Sequence, residues 1–517
     1  MKSRGKILWV DDEIEHLKPH ILFLEEKGFE INTAFNGNDG VELIKDQSID
    51  LALLDQFMPG MDGIDTLRKL KEINPTLPVI MITKSEDESL MDEAISEKVV
   101  QFLIKPVNPS QVFMAIKQVL ESSQIQEDKT TKDFLKEYQE INELKKEYFD
   151  VSDWWNLYKQ LAHWRLELED HQEQGLETIL KEEIQTCNRE FSRYIETNYL
   201  SLINSENRPP MSVDVIDQFV RPELEKGQKL CFLVMDCLRF DQFISISPTL
   251  SQYFNIDIHY HLSILPTATP YSRNALFSGM FIDELVRNYP KQLDAMNSED
   301  TGLNQYEELY LKNLLDKHNL NQVSFRYQKI WSADHGIKFQ KRIGEYLNID
   351  LLALVVNFVD QLAHKQSESN VLKEMVSDES AFCRVVASWF NNSWLVETLK
   401  YIGENGYTVV LTSDHGSISV QKGVMVKADK KASSGVRYKV GRNLNCDQKY
   451  CVKVNKPSDY KLPDRGPQST YLFARDSVFF LYPNEMNRYQ NTFMDSFQHG
   501  GISMEEMLIP VAILKGK

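Results

Sequence analysis

The sequence predicts an α/β protein with a doubly wound α/β domain, a three-helix connector and a second, larger α/β domain. Three observations support this prediction. The 517 residues suit about three units at roughly 150 residues each. Short apolar runs alternate with amphipathic stretches at both ends of the chain, and this strand pattern is absent between them. The predicted boundaries are 1–121, 122–207 and 208–517.

The first domain contains five strand-like runs separated by helical patterns. Strands that alternate with helices indicate a parallel sheet with right-handed crossovers. The last helix has clear start signals, because Asn108 is a typical N-cap and Pro109 suits the first helical position. The five runs are KILWV, INTAF, DLALL, PVIMI and VVQFLI.

The middle segment has apolar residues at helical spacing, which predicts a three-helix bundle. Breaks near Asp150 and Gly175 would separate the helices, and the segment NSENRPP at 204–210 would lead out of the bundle. The periodic apolar positions are Phe134, Tyr138, Ile141, Tyr148, Trp154, Tyr158, Leu161, Leu168, Leu180, Ile184, Phe191 and Ile195.

Beyond residue 211 the strand pattern returns with long helical segments between the strands, which predicts the larger α/β domain. A polar stretch near 417–470, rich in Lys, Gly and Ser, reads as an insertion over one face of that domain. The strand candidates are LCFLVMD, LLALVVNFVD, YTVVLTSDHG, SVFFLYP and EEMLIPVAIL.

Composition and charge exclude several classes of function. A formal net charge of −18 argues against a protein that grips duplex DNA by bulk electrostatics. No run approaches the ~20 apolar residues needed to span a bilayer, and the N-terminus lacks the pattern of a signal peptide, so no membrane insertion is expected. The six cysteines are scattered without a CxxC pair, which favours a reduced, cytoplasmic protein.

Acidic and basic residues follow the predicted strands of the first domain. Asp11 and Asp12 come after the first strand, Asp55 after the third, Thr83 after the fourth and Lys105 after the fifth. The ends of parallel strands meet at one edge of a sheet, where three carboxylates would need a cation such as Mg²⁺ between them. Asp55 could then act as a carboxylate nucleophile toward a phosphoryl group, with Lys105 neutralising charge on the phosphoryl oxygens.

The segments LLDQFMPGMDG and FLIKP resemble the CheY-like receiver family over about 120 residues. The resemblance implies that Asp11 and Asp12 hold a magnesium ion beside Asp55. It also implies that Asp55 is phosphorylated by a cognate histidine kinase. The expected consequence is a change in homodimerisation or domain docking.

The same resemblance implies a conformational switch at the phosphorylation site. Thr83 and Phe102 would form the switch pair, and Lys105 would bind the acyl phosphate. The family usually has Tyr at the aromatic position, so Phe102 keeps the packing but lacks the hydroxyl. The Lys105–Pro106 bond is expected to be cis.

Five motifs in the last domain carry residues suited to metal binding or nucleophilic attack. Each lies near a predicted strand, so we expect the motifs to converge at one sheet edge. Mixed carboxylate and imidazole ligands suit zinc or a similar ion better than calcium. Two such ions could activate the Thr269 hydroxyl as a nucleophile. The residues are Asp236, Thr269, Asp360, His364, Asp414, His415 and His499.

Taken singly, each of these residues has an ordinary structural explanation, since Asp after a strand often caps a helix. Together, SDHG and HGGISMEEM resemble the alkaline phosphatase superfamily, specifically its PglZ branch, over about 300 residues. The resemblance implies two zinc sites. Asp236, Thr269, Asp414 and His415 would bind one ion, and Asp360, His364 and His499 would bind the other.

Two assignments stay open. Thr267 and Thr269 are both candidates for the nucleophile, although the superfamily's Pro-Thr-x-Thr pattern favours Thr269. The residue that grips the substrate phosphate is also open. Arg273 lies beside the nucleophile, and Arg437 and Arg442 lie in the insertion.

The three segments together resemble the PorX-like response regulators of the Bacteroidota, which are linked to type IX secretion and gliding. The first hypothesis is a two-component response regulator whose phosphorylation controls a zinc-dependent phosphodiesterase or phosphatase. We expect its substrate to be a nucleotide or oligonucleotide phosphodiester. The alternative is a phosphorylation-dependent docking module for a sigma factor or a secretion-complex partner, with hydrolysis secondary. Transcription control through duplex DNA is disfavoured by the charge and by the lack of a helix-turn-helix motif.

Overall fold

A computed structural model describes residues 5–84, 99–144, 149–169, 174–290, 304–427, 433, 435–466, 468–482 and 486–517. The chain divides into two compact units, Met1–Gln139 and Glu140–Lys517. Each unit is described by itself below.

The first unit contains a five-stranded parallel sheet in the order β2-β1-β3-β4-β5. Neighbouring residues of a strand face opposite sides of a sheet, so Leu53 packs in one apolar layer and Leu54 in the other. The predicted doubly wound fold is confirmed. The strands are β1 Lys6–Val10, β2 Glu30–Ala34, β3 Leu51–Asp55, β4 Val79–Thr83 and β5 Gln101–Ile104, and the helices include Lys18–Glu26, Gly37–Asp46 and Gly63–Ile73.

The last helix of the first unit is longer than the sequence predicts. It runs without interruption from Pro109 to Leu144, because no Gly or Pro follows Pro109 within it. The proposed boundary at residue 121 therefore falls inside a helix, and the two compact units also divide within it. The helix predicted between the fourth and fifth strands falls on 85–98, which lie outside the described residues.

Two further helices of the connector, Val151–Glu169 and Gln174–Asn204, belong to the second compact unit. Trp155 packs against Phe240 and Tyr260, with ring centroids 4.7 and 5.2 Å away, so the helices are anchored on the large domain. Of the predicted periodic positions, Tyr148 lies outside the described residues and Tyr138 is half-buried. The others are buried: Phe134, Ile141, Trp154, Tyr158, Leu161, Leu168, Leu180, Ile184, Phe191 and Ile195.

The core of the second unit is a six-stranded sheet in the order β7-β18-β10-β6-β9-β8. Strands β10, β6, β9 and β8 are parallel, whereas β18 is antiparallel to both of its neighbours. The sheet is thus mixed. Strands β7 and β8 are not among the strands predicted above, although the segment FNIDIHYHL of β7 alternates apolar and polar residues as a half-buried strand does. The strands are β6 Leu230–Met235, β7 Phe254–Leu262, β8 Phe325–Ile330, β9 Leu351–Val356, β10 Thr408–Thr412 and β18 Leu508–Gly516.

The segment after β10 forms smaller sheets rather than strands of the central one. The predicted strand SVFFLYP is β16, and it pairs in parallel with β12 outside the six-stranded sheet. An antiparallel sheet has the order β13-β15-β14, and β11 pairs with β17. The strands are β11 Ile418–Val420, β12 Lys422–Met425, β13 Tyr438–Gly441, β14 Cys451–Val454, β15 Thr470–Ala474, β16 Val478–Leu481 and β17 Ser496–Gln498.

The second unit contains further helices before and between its strands, as expected for an α/β domain. They include Arg221–Glu225, Phe240–Tyr253, Thr269–Ser278, Ile282–Asn288, Glu307–Lys317, Ala333–Lys341, Phe358–Glu368, Asn370–Met375, Glu379–Asn392, Trp394–Glu404, Met486–Phe493 and Met504–Met507. Across the described ranges, none of the helices is both long and apolar enough to span a bilayer. The six cysteines are free thiols.

Candidate active site

The five motifs of the large domain meet at one edge of its central sheet. Asp236, Asp360 and Asp414 follow the ends of β6, β9 and β10. Strand β7 is antiparallel to β18, so it ends at this edge and delivers Thr269. Because β18 runs against β10, the loop before β18 also lies here, and it carries His499.

One group of ligand atoms is buried at the centre of this edge. It consists of Asp236, Asp414 and His415, whose ligand atoms all lie within 4.8 Å of one another. His415 Nε2 is 3.6 Å from Asp414 Oδ2 and 4.0 Å from Asp236 Oδ1. The three side chains are buried, so an ion there would be enclosed by protein.

A second group is more open to solvent. Asp360 and His364 lie on successive turns of the helix Phe358–Glu368, and His499 joins them from the loop before β18. The Nε2 atoms of His364 and His499 face each other at 3.2 Å. Both lie close to Asp360 Oδ1, at 3.4 and 3.6 Å. The rings of His415 and His499 stack with centroids 4.2 Å apart, so the two groups are adjacent.

The donor atoms fit divalent metal ions. Three buried carboxylate oxygens, Asp236 Oδ1, Asp360 Oδ1 and Asp414 Oδ2, have no hydrogen-bond partner among the described residues. Unpaired buried carboxylates are costly, and a cation is the usual compensation. Three carboxylates, three imidazoles and a nearby hydroxyl form a mixed O/N set that suits transition ions.

The pKa values of the candidate ligand groups shift in both directions. Burial lowers the pKa of His415 and of His499, which favours the neutral imidazole that binds metals. Burial raises the pKa of Asp236 to about 8, against the opposing charge of Arg273. Burial also disfavours ionisation of Asp360, but the close contact with His364 and the charge of its imidazole outweigh burial and hold the pKa of Asp360 below its ordinary value. The same contact and the charge of Asp360 raise the pKa of His364 to about 9.

The two candidate threonines occupy different positions. Thr269 begins the helix Thr269–Ser278, and its Oγ1 lies 3.0 Å from His415 Nε2. Thr267 is buried, donates to Gly501 O at 2.8 Å and accepts from Gly500 N at 3.1 Å. The geometry therefore favours Thr269 as the nucleophile and gives Thr267 the task of holding the loop of His499.

Arg273 forms a buried ion pair with Asp236. Its Nη1 lies 2.5 Å from Asp236 Oδ2, and its Nε donates to Glu307 Oε1 at 2.7 Å. Asn357 Nδ2 donates to the same Asp236 oxygen at 2.5 Å. The guanidinium is buried, so its first role is to orient the carboxylate of Asp236, a candidate metal ligand. Asn357 lies within the motif NFVDQLAH, but no role was predicted for it from the sequence. Glu307 lies in none of the motifs found in the sequence, so its contact with Arg273 was not predicted either.

The two arginines of the polar segment differ. Arg437 is fully buried and pairs with Glu506 at 2.5 Å, which argues against direct contact with a substrate. Arg442 is exposed. Sequence reasoning missed two other residues near Thr269. Tyr438 packs edge-on against Tyr271 at 5.8 Å, and exposed Arg465 donates to the Tyr271 hydroxyl at 3.0 Å.

The first unit gathers its own acidic group at the ends of β1 and β3. Ligand atoms of Asp11, Asp12 and Asp55 lie within 4.8 Å of one another. Lys105 Nζ bridges Asp11 and Asp55 at 2.9 Å each. Burial raises the pKa of Asp55, and Asp55 Oδ1 has no hydrogen-bond partner within the part of the chain that the structure describes. An all-oxygen group with an unpaired buried oxygen fits Mg²⁺.

The switch residues expected from the sequence lie on the neighbouring strands. Thr83 ends β4 and is buried, and its carbonyl accepts from Lys105 N at 2.8 Å. Phe102 packs partly buried against the apolar layer of Leu54 and Met81. The Lys105–Pro106 peptide is cis, as expected.

Comparison with protein families assigns each segment. The model of the BREX system PglZ alkaline phosphatase-like domain matches residues 215–514, more than half of the chain. The response regulator receiver domain matches residues 7–117. The PorX response regulator linker domain matches residues 124–203.

Similar proteins cover only part of the chain. The transcriptional regulatory protein SrrA of Staphylococcus aureus is 34% identical over 120 residues, which is 23% of this chain and 49% of SrrA. The transcriptional regulatory protein ZraR of Klebsiella oxytoca is 31% identical over 125 residues, which is 24% of this chain and 28% of ZraR. This chain thus spans less than half of either relative. A solved receiver domain from Clostridium thermocellum is 32% identical and covers 23% of this chain and 98% of its own, with a TM-score of 0.22.

Proposed function

This chain belongs to the PglZ alkaline phosphatase-like family and has the domain composition of a PorX-like response regulator, and on that premise we propose a phosphorylation-controlled, zinc-dependent phosphodiesterase or phosphatase. Two zinc ions would occupy the two ligand groups of the large domain. One Mg²⁺ would occupy the group formed by Asp11, Asp12 and Asp55.

One observation carries the proposal for the large domain. A threonine hydroxyl at the start of a helix lies 3.0 Å from an imidazole of one ligand group. That group stacks on the second one with centroids 4.2 Å apart. A nucleophile beside two adjacent cation sites is the arrangement that transfer of a phosphoryl group requires.

Bound zinc ions would lower the pKa of the Thr269 hydroxyl and neutralise charge on the phosphoryl oxygens. Thr269 Oγ1 attacks phosphorus, and its new bond forms as the bond to the leaving oxygen breaks. The departing alcohol takes up a proton from water. Water then attacks the phosphothreonine and restores the hydroxyl. Arg273 and Asn357 keep Asp236 oriented throughout, and Thr267 keeps the loop of His499 in place.

A nucleotide or oligonucleotide phosphodiester is the proposed substrate. The support is the half-buried ring of Tyr438 and the exposed guanidinium of Arg465 beside the nucleophile helix. Both contact Tyr271, which lies two residues after Thr269 and is itself buried, so Tyr271 holds these two side chains in place rather than facing a base. Aromatic faces and basic side chains together bind single-stranded nucleic acid without strong sequence preference.

Control is proposed to come from the receiver. A cognate histidine kinase would phosphorylate Asp55, and the phosphorylated chain would form a homodimer. The resemblance to PorX-like regulators supports a role in type IX secretion. A cytoplasmic site of action is part of the same proposal.

The test is metal analysis together with hydrolysis of a chromogenic phosphodiester. We expect about two zinc ions per chain. Thr269→Val should lose at least about a thousandfold in turnover, because removal of a nucleophile abolishes the covalent step. Thr269→Ser should keep much of the activity. Ser272→Ala is the matched control, since the Ser272 hydroxyl bonds Ala268 O in the same helix.

The alternative is a docking module that binds a sigma factor or a secretion-complex protein. Seven candidate metal-site residues and three unpaired carboxylate oxygens favour chemistry, because docking alone needs neither. Wild-type protein that binds no metal and hydrolyses no phosphodiester would decide for docking, whereas undiminished turnover in Thr269→Val would overturn Thr269 as the nucleophile.

A further inference from the structure

The loop that carries His499 is held from several sides. Gly500 has a φ of +116°, a conformation open chiefly to glycine, so the loop needs external contacts to fix it. Thr267 contacts Gly500 and Gly501 on one side. Glu506 accepts from Gly501 N at 2.8 Å and pairs with Arg437 on another.

A further contact comes from the connector helix Gln174–Asn204. Asn188 Nδ2 donates to Glu505 Oε2 at 2.9 Å, and Asn188 Oδ1 accepts from Met504 N at 2.8 Å. Both bonds are buried, and the Asn188 side chain is 2% exposed. The Asn188 amide can make both bonds because it carries a donor and an acceptor in one planar group.

Two neighbours strengthen this contact. Ser192 lies one turn further along the helix, on the same face, and its hydroxyl bonds Ile502 O at 3.1 Å. Arg165, from the preceding connector helix, bridges Asp241 at 2.6 Å and Glu505 at 3.4 Å. The connector thus reaches the loop at residues 502, 504 and 505.

Glu505 also packs beside the ligand group that contains His415. A Cβ placed on Gly416 would lie 2.0 Å from Glu505 O, so the loop packs directly on the residue after His415. The connector helix reaches the nucleophile loop as well, because the Tyr199 hydroxyl accepts from Leu265 N at 2.9 Å. One helix therefore touches the loops that carry both His499 and Thr269.

We propose that Asn188 is a positioning residue for the metal centre, and that the connector helix forms part of the hydrolase site. Asn188 acts through Glu505 and Met504 to fix His499 against His364 and Asp360. The inference rests on the proposed function. It also gives the connector a way to change the site, since a displacement of the helix would move the loops of His499 and Thr269 together.

The experiment compares four full-length variants with wild type. Asn188→Asp sets a second carboxylate against Glu505, and Glu505→Gln removes the charge. The double variant Asn188→Asp/Glu505→Gln restores the pair with donor and acceptor exchanged. Asn198→Ala is the matched control, because the Asn198 amide donates within its own helix to Tyr194 O.

The readouts are zinc affinity by competition with a chelator, kcat, KM and the unfolding midpoint. Asn188→Asp should weaken one of two zinc sites about 10- to 100-fold, as is usual when a group that orients a ligand is lost. The kcat should fall with it. The double variant should recover most of both losses, and Asn198→Ala should match wild type.

Outcomes separate this inference from the proposed function. Wild-type turnover and zinc affinity in both Asn188→Asp and Glu505→Gln would overturn the positioning role alone. A lower midpoint with two intact zinc sites would also overturn it, because that result describes a purely structural bond. Zinc binding without phosphodiester turnover in wild type would overturn the proposed function, while the positioning role would still be decided by the zinc affinities. Wild-type protein that binds no metal would overturn both.

Discussion

Buried charges at the sheet edge are held in pairs, and Arg273 is central among them. It lies between Asp236 and Glu307, and all three side chains are buried. A buried ion pair adds little net stability over an apolar replacement, but removal of one partner leaves an uncompensated charge.

Arg273→Met is therefore expected to destabilise the metal-free protein by about 3 to 5 kcal/mol. Bound metal should reduce this loss, because a cation would compensate Asp236 in place of the guanidinium. Denaturant unfolding with and without zinc measures both effects. Arg342→Met is the control, since the exposed pair with Glu345 should contribute little. Equal losses in the two variants would contradict the role assigned to Arg273.

The single residue His261 should make the stability of the folded protein depend on pH. Burial lowers the pKa of its imidazole from 6.5 to about 4, so the folded state keeps it neutral. Between pH 6.5 and 4 the unfolded chain binds a proton that the folded chain does not, and stability is lost as pH falls.

Wild-type protein should thus lose up to about 1.4 kcal/mol per pH unit from this residue within that window. The loss should be absent in His261→Gln. Unfolding free energies measured from pH 7 to pH 4.5 test the difference between the two slopes. Parallel slopes would show that His261 is not held neutral by burial.

Close helix packing sets a requirement at the scale of elements. The helix Ala333–Lys341 approaches the helix Trp394–Glu404 at Gly336, where an added Cβ would lie 2.0 Å from Trp394 Nε1. Gly344, in the adjacent turn, has its nearest neighbour at 4.0 Å.

Gly336→Ala should destabilise the protein by about 1 to 3 kcal/mol, because overpacking displaces a rigid indole. Gly344→Ala should be close to neutral. Thermal unfolding of the two variants provides the comparison, and trp fluorescence reports whether Trp394 moves. A stabilised Gly336→Ala would mean that helix propensity outweighs the contact.

At the scale of the whole molecule, phosphorylation is expected to act through oligomeric state. A phosphoryl group adds about −1.5 to −2 charge beside Lys105 and Thr83. The long helix Pro109–Leu144 leaves the receiver without a break, so a change in receiver pairing has a continuous element on which to act.

Beryllofluoride with Mg²⁺, which mimics the acyl phosphate, should therefore increase the dimer fraction measured by light scattering. Asp55→Asn should not respond. An unchanged mass together with unaltered hydrolysis would count against control by the receiver.

The sequence by itself determined the fold classes and the chemical groups of both sites. Apolar residues that repeat every two or every 3.6 positions indicate strands and helices directly. Acidic residues that follow predicted strands, such as Asp11, Asp55 and Asp236, are therefore expected at the sheet edge where those strands end. It could not determine whether Thr267 or Thr269 faces the ligand group, because both stand two residues apart in one loop. Strands β7 and β8 were missed for different reasons. The segment FNIDIHYHL of β7 alternates apolar and polar residues and could have been recognised as a strand, whereas the adjacent Gln328 and Lys329 interrupt the alternation of β8.

Only the tertiary structure decided how distant residues meet. His499 lies before strand β18, whereas Asp236 lies after strand β6. Both reach the same sheet edge because β18 is antiparallel to β10. Arg273 was a candidate for phosphate binding, yet its guanidinium forms ion pairs with Glu307 and Asp236 inside the protein. Asn188 carries no motif, since its role depends on Glu505, more than three hundred residues away. Local sequence encodes secondary structure and residue chemistry, whereas strand direction and long-range pairing depend on contacts that no short segment contains.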